Sequence, residues 1–196
     1  MQRGPAPARP LAAIGGVLGP ATFVTAWSVL GARTARYSAV HDAISRLAAT
    51  GAPTQAAMTA GFVAFGAGMQ LFAVALRSRW HGPAWALASA TGLATLGVAA
   101  APLGSPTRDS VHGAFAALGY ATLAALPPAA SRSLAADDRP GWARASVAVG
   151  AASAACLVAS IVGPRHGMFQ RAGLGVVDVW VVAMSVDMLV SRPRHR

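Results

Sequence analysis

The sequence predicts an all-α integral membrane protein, a bundle of six transmembrane helices with a short amphipathic helix in the first outer loop. Three observations carry this. Apolar residues make up 55% of the chain and charged residues 11%, against about 25% charged in a soluble domain. The apolar residues fall into six runs of roughly 20, the length that crosses a ~30 Å hydrocarbon core. The charges flank these runs: sixteen basic residues, all Arg, and six acids, all Asp, with no Lys and no Glu. A net charge of +10 could meet nucleic acid, but these arginines form no stripe. The partner they predict is the lipid bilayer with its anionic headgroups, not nucleic acid. Arg-only and Asp-only usage with abundant Ala and Gly also points to a GC-rich bacterial genome.

Residues 1–10, MQRGPAPARP, read as a disordered, Pro-rich basic tail. The first span is predicted over 11–31, with Pro20 as a kink site and Gly15 and Gly19 as a GxxxG pair for close helix approach. Tyr37–Pro53 follows. Wound at 100° per residue, Ser38, His41, Asp42, Ser45 and Arg46 share one face, and Val40, Ala43, Ile44, Leu47 and Ala48 the other. Asp42 and Arg46 are spaced to pair, Ser38 suits an N-cap, and Gly51 with Pro53 suits a stop. This is the predicted amphipathic helix. The second span is predicted over 54–76, with Gln70 as its one strongly polar member. Trp80 and Trp85 suit an interfacial aromatic belt. The third span covers 83–102, where Ser89, Thr91 and Thr95 can bond back to their own helix. The fourth covers 111–127, ended by Pro127-Pro128 and a charged loop. The fifth covers 145–162 and contains Cys156, the lone cysteine, read as buried filler. The sixth covers 174–190, and a basic tail, 191–196, closes the chain. Six spans leave no room for a soluble domain.

Orientation follows from arginines near span ends. With the N-terminus cytoplasmic, ten arginines lie inside and six outside, predicting a multi-pass plasma-membrane protein with both termini cytoplasmic. The first, third and fifth connections then share the outer face. The first brings Ser38, His41, Asp42, Ser45 and Arg46. The third brings Arg108, Asp109 and His112. The fifth brings Arg165, His166, Gln170 and Arg171, and Asp178 enters the sixth span from the same side. An acid inside a span is a functional candidate by default; the competing reading is an interfacial Asp178 paired with Arg171 or a histidine. Asp187 is expected to pair with Arg192 at the other end.

Several chemistries fit these residues. Arg46, Arg108 and Arg171 would favour a small anionic solute or a lipid headgroup. His41, His112 and Asp109 or Asp178 could serve a membrane-embedded lipid hydrolase or transferase, with Ser38 or Ser45 as nucleophile. His41, His112, His166 and Asp178 could reach a zinc ion, although no HxxxH or HExxH spacing exists, so neither metal nor cofactor is predicted. The plainest alternative is a structural or assembly protein whose ion-paired cap seals the bundle and binds no ligand. No pattern speaks to oligomeric state.

Three stretches also carry a resemblance. SAVHDAISRLAATGAP, DSVHGAFA and GMFQRAG, in that order and placed before spans two, four and six, resemble the six-span membrane family catalogued as domain of unknown function 998. Ser38, Ile44, Ser45, Leu47, Gly51 and Pro53 match its first motif, His112 its second, and Gln170 with Arg171 its third. The resemblance covers about residues 11–190. It implies a bacterial or archaeal membrane protein of six helices and no established activity.

Overall fold

Each of the six apolar runs folds as an α-helix: α1 (Gly15–Arg33), α2 (Gln55–Arg79), α3 (Ala84–Ala100), α4 (Pro106–Ala136), α5 (Pro140–Val162) and α6 (His166–Val190). A single helical turn, Pro10–Ala13, leads into α1. The computed structural model describes residues 10–190. The tail predictions over 1–9 and 191–196, with Arg3, Arg9, Arg192, Arg194 and Arg196, lie outside the described residues. Five of the six helices are long and apolar enough to cross a membrane, and α3, at 17 residues, is a shorter apolar helix. The chain is a multi-pass membrane protein by this character.

Short connections make sequence neighbours spatial neighbours. Each helix packs on the next, and α6 returns to α1. The centre is α2, whose Met58, Phe62, Phe65, Met69, Phe72 and Leu76 are all buried. Phe72 meets Trp180 of α6 edge-on, with ring centroids 6.4 Å apart. The predicted GxxxG pair is used: Gly15 and Gly19 lie against Gly68 of α2, where an added Cβ would stand 2.7 Å from the Gly19 Cα. Lipid supplies no hydrophobic drive between helices, so backbone proximity and interhelical hydrogen bonds hold them.

Those hydrogen bonds correct one expectation. Ser89 and Thr91 do not bond back to their own helix. Ser89 Oγ donates to Gln70 Oε1 at 2.8 Å, while Gln70 Nε2 donates to the Ser89 carbonyl at 2.8 Å. Thr91 donates to Thr122 of α4 at 2.9 Å. Thr95 alone of the three returns a bond, to the Thr91 carbonyl. Ser153 Oγ to Gly173 O ties α5 to α6.

Several boundaries differ from those predicted. The fourth helix does not stop at Pro127. It runs through Pro127-Pro128 to Ala136. Two prolines free two carbonyls of the preceding turn, and Gly150 of α5 packs there, close to Pro128 and the Ala124 carbonyl. The sixth helix begins at His166, eight residues before the predicted start. The first connection holds a five-residue 3-10 helix, Ile44–Ala48, in place of an amphipathic α-helix over Tyr37–Pro53. Its start is set by a tertiary bond: the Ile44 N–H donates to Gln170 Oε1 at 2.9 Å, and Ala43 is extended. Trp80 sits at the end of α2, turned into the protein. It is buried, and its indole donates to Asp137 at 3.0 Å.

At that same end Asp187 is held by Arg139, bidentate at 2.7 and 3.0 Å; the expected partner Arg192 lies outside the described residues. Both side chains are 23% exposed. Arg139→Ala leaves the mostly buried Asp187 carboxylate without a cation among the described residues and is expected to cost about 2 kcal/mol. The check is the thermal midpoint in detergent micelles. Adding Asp187→Asn to Arg139→Ala should recover part of the loss, because no unpaired charge is then left.

Candidate functional site

The first, third and fifth connections do gather at one end of the bundle. The Thr50 N–H donates to the Leu103 carbonyl at 2.8 Å, and Met168 N–H to the Val40 carbonyl at 3.0 Å. His41 Nδ1 lies 3.1 Å from the Pro164 carbonyl. The polar residues brought there separate into two groups, a seal and a cavity wall.

The seal is built on Arg171. Its Nη1 donates to the carbonyls of Ala39 at 2.8 Å, Asp42 at 3.0 Å and Gly167 at 2.9 Å. Its Nη2 donates to the Tyr37 hydroxyl. The guanidinium lies over the rings of Trp27 and Tyr37, at 5.2 and 5.5 Å. Five donors in a planar fork suit several carbonyls at once. Burial pushes the Tyr37 hydroxyl above its ordinary pKa, and the Arg171 charge pulls it back only in part. Gly167 is required here: a Cβ would run into the Asp42 carbonyl. Around this clamp, Ser38 N–H donates to Asp42 Oδ2 at 2.8 Å, and Ser38 Oγ accepts from the His41 N–H at 3.3 Å. Arg46 pairs with Asp42 at 3.6 Å on an exposed surface, as its spacing predicts. Asp109 Oδ1 accepts the Gly104 N–H at 2.8 Å and lies outside the cavity.

The cavity lies beneath the 3-10 helix, between α1, α2, α3, α4 and α6 with Ile161 of α5 at its rim, and has a volume of about 340 Å³. This falls within the ~300–1,000 Å³ of ordinary small-molecule sites. Its wall is mostly apolar, and Ser45, His112, Gln170 and Asp178 of the predicted site residues reach it, with His166. His112 is buried. Its Nδ1 lies 2.8 Å from the Ala101 carbonyl, so Nδ1 carries a proton and donates it there. His166 Nδ1 is held likewise by the Ser160 carbonyl. Gln170 spends both ends of its amide: Oε1 accepts from Ile44 N–H, and Nε2 donates to the Tyr120 hydroxyl. The Tyr120 proton remains to be donated.

Asp178 corrects the expectation most. Neither Arg171 nor a histidine pairs with it. It lies twelve residues into the 25-residue α6, about 18 Å along the axis at 1.5 Å per residue, near the middle of that helix. It is 4% exposed, and its Oδ1 is buried with no hydrogen-bond partner among the described residues.

Tyr120 and the rings of Phe23, Phe62, Phe65 and Phe115 also line the cavity, and sequence reasoning did not single them out. Tyr120 carried a signal, a tyrosine inside a span about two turns beyond His112. The phenylalanines carried none, since apolar rings in spans are ordinary. Among the described residues no group of three or more His, Cys, Asp or Glu is placed to hold a metal. His41, His112, His166 and Asp178 form no ligand set.

A family model described as "Protein of unknown function (DUF998)" matches residues 17–187. No curated protein and no solved structure matches the chain.

Proposed function

We propose, from the premise that this chain belongs to the DUF998 family of proteins of unknown function, that it binds an apolar or amphiphilic small molecule or lipid. The site is the intramembrane cavity under the 3-10 helix. The single observation that carries this is an apolar cavity of about 340 Å³ whose exposed wall residues, Gly113, Phe115, Ala117 and Ile161, are themselves apolar. In a bundle inserted in lipid these residues face the acyl chains, so a ligand reaches the cavity from the bilayer. This favours the lipid side of the sequence reading over the small anionic solute. Arg46 and Arg108 are exposed, and Arg171 is committed to carbonyls; none of the three lines the cavity.

The surrounding topology is six crossings of a bacterial or archaeal plasma membrane. Helix α3 spans about 26 Å at 1.5 Å per residue, close to the ~30 Å core. The arginine bias of ten to six supports both termini on the cytoplasmic side. The hydrolase reading gains less support: His112 is oriented by a backbone carbonyl, not by a carboxylate, and Ser38 and His41 meet through a backbone N–H.

Gly119 gives the test. It lines the cavity, and an added Cβ there meets only the Ala94 Cβ at 3.6 Å. Gly119→Leu should fill the cavity while the helix gains up to about 1 kcal/mol of propensity. Native mass spectrometry of the protein released from lipid particles should show a bound hydrophobic mass in the wild type and its loss in Gly119→Leu, with the thermal midpoint held or raised. A mass equally retained by the filled variant, or none in the wild type, would sink the reading.

A further inference from the structure

The electrostatics of the cavity select among its ligands. The chain has sixteen arginines, and none of those among the described residues lines the cavity. The one acid that does is Asp178, buried and with Oδ1 unpartnered among the described residues. Four of the six phenylalanines, Phe23, Phe62, Phe65 and Phe115, share the wall with Tyr120. Aromatic faces carry negative potential and attract cations, most strongly when desolvated, and aromatic walls are a recurrent means of binding quaternary ammonium groups. A buried carboxyl with no cation beside it among the described residues is an acceptor that a ligand can satisfy.

We infer that the ligand of this cavity is a hydrophobic organic cation, an amphiphilic amine or quaternary ammonium whose head reaches Asp178 through the aromatic wall. The inference rests on the cavity being a ligand site, as proposed above. It reverses the sign expected from the arginine-rich surface. The surface charge meets phosphate headgroups, whereas the interior, stripped of arginine, presents one carboxyl and five rings. An anion entering the same space would meet that carboxyl with no cation to offset it.

The test uses the full chain in nanodiscs of phosphatidylcholine, with binding of radiolabelled probes read by scintillation proximity and empty discs subtracted. Decyltrimethylammonium, decanol and decyl sulfate share a chain and differ in head charge. The wild type should bind the ammonium about tenfold or more tightly than decanol, with decyl sulfate weakest. Asp178→Asn keeps the side-chain shape and should bring the ammonium to within about threefold of decanol. Phe115→Leu, on the exposed rim, should weaken the ammonium by a severalfold factor and decanol far less, and it gives a reading even where Asp178→Asn fails to fold. Decanol or decyl sulfate binding as tightly as the ammonium in the wild type would overturn the inference. So would an ammonium preference that survives both substitutions. If decanol binds, Gly119→Leu abolishes it, and no ammonium preference exists, the cation inference falls and the cavity reading stands. If no probe binds, both fall.

Discussion

Arg171→Ala should unfasten the end of the bundle above the cavity, at an expected cost of about 3 kcal/mol or more, since each hydrogen bond to a charged donor is worth roughly 1.5–3. The residue reaches the carbonyls of Ala39, Asp42 and Gly167 and the Tyr37 hydroxyl, and it covers Trp27. Removing it leaves these acceptors without their common donor, and the connection between Thr34 and Gln55 loses its anchor on α6. At about 2–4 °C per kcal/mol for a chain of this size, the thermal midpoint in detergent should fall by roughly 6–12 °C. Limited proteolysis should cut between Thr34 and Gln55 in the variant and spare the wild type. Arg171→Lys should recover only part of the loss, because an ammonium is a compact charge and cannot span several carbonyls as a fork does. A midpoint within about 1 °C of wild type, with the connection still protected, would mean the clamp contributes little.

Gly68→Leu should be comparably damaging for a different reason. A Cβ at Gly68 stands 2.5 Å from the Gly15 carbonyl oxygen and 2.7 Å from the Gly19 Cα. Both neighbours are backbone, so neither can turn aside. Overfilling a packed interface costs about 1–3 kcal/mol, and here the relief is separation of α1 from α2 along their seam. Phe23 of α1 lies against Phe62 and Phe65, at 5.4 and 5.2 Å between centroids, so that separation also opens the cavity wall. Gly175→Ala is the control. Nothing lies within 4 Å of a Cβ there, and the helix gains up to about 1 kcal/mol. Thermal midpoints of the two variants should move in opposite directions. A fall of the same size in both would tie the effect to helix glycines in general and not to this seam.

The seal and the cavity wall were legible in the sequence to different degrees. Arg46 and Asp42 are only four residues apart and pair at 3.6 Å, so their meeting needs no contact between distant elements. Arg171 was singled out correctly as belonging to the face of the first connection. Its role was not legible, because an arginine that binds an anion and one that binds three carbonyls look the same in one dimension. Asp178 was visible as an acid in an apolar run. Its depth was not, because the helix carrying it starts at His166, inside a stretch whose His, Gln and Arg read as a loop. Those polar residues are helical because their side chains find partners across the bundle, Gln170 on Ile44 and Tyr120 and Arg171 on the first connection.

The sequence by itself determined the class of this protein. Six apolar runs bounded by arginine have few folded solutions in lipid, since each backbone polar group must be satisfied within its own segment. It also determined which helix ends share a face, which follows from counting crossings. Only the tertiary structure decided that Ile44–Ala48 is a 3-10 helix set by a glutamine more than a hundred residues away. It likewise decided that, among the described residues, the arginines stay out of the cavity and that four phenylalanines and one unpaired acid line it. Periodicity and composition record how strongly each residue prefers lipid or water. They do not record which side chains from six helices meet around one cavity, and that meeting fixes the charge and shape a ligand encounters.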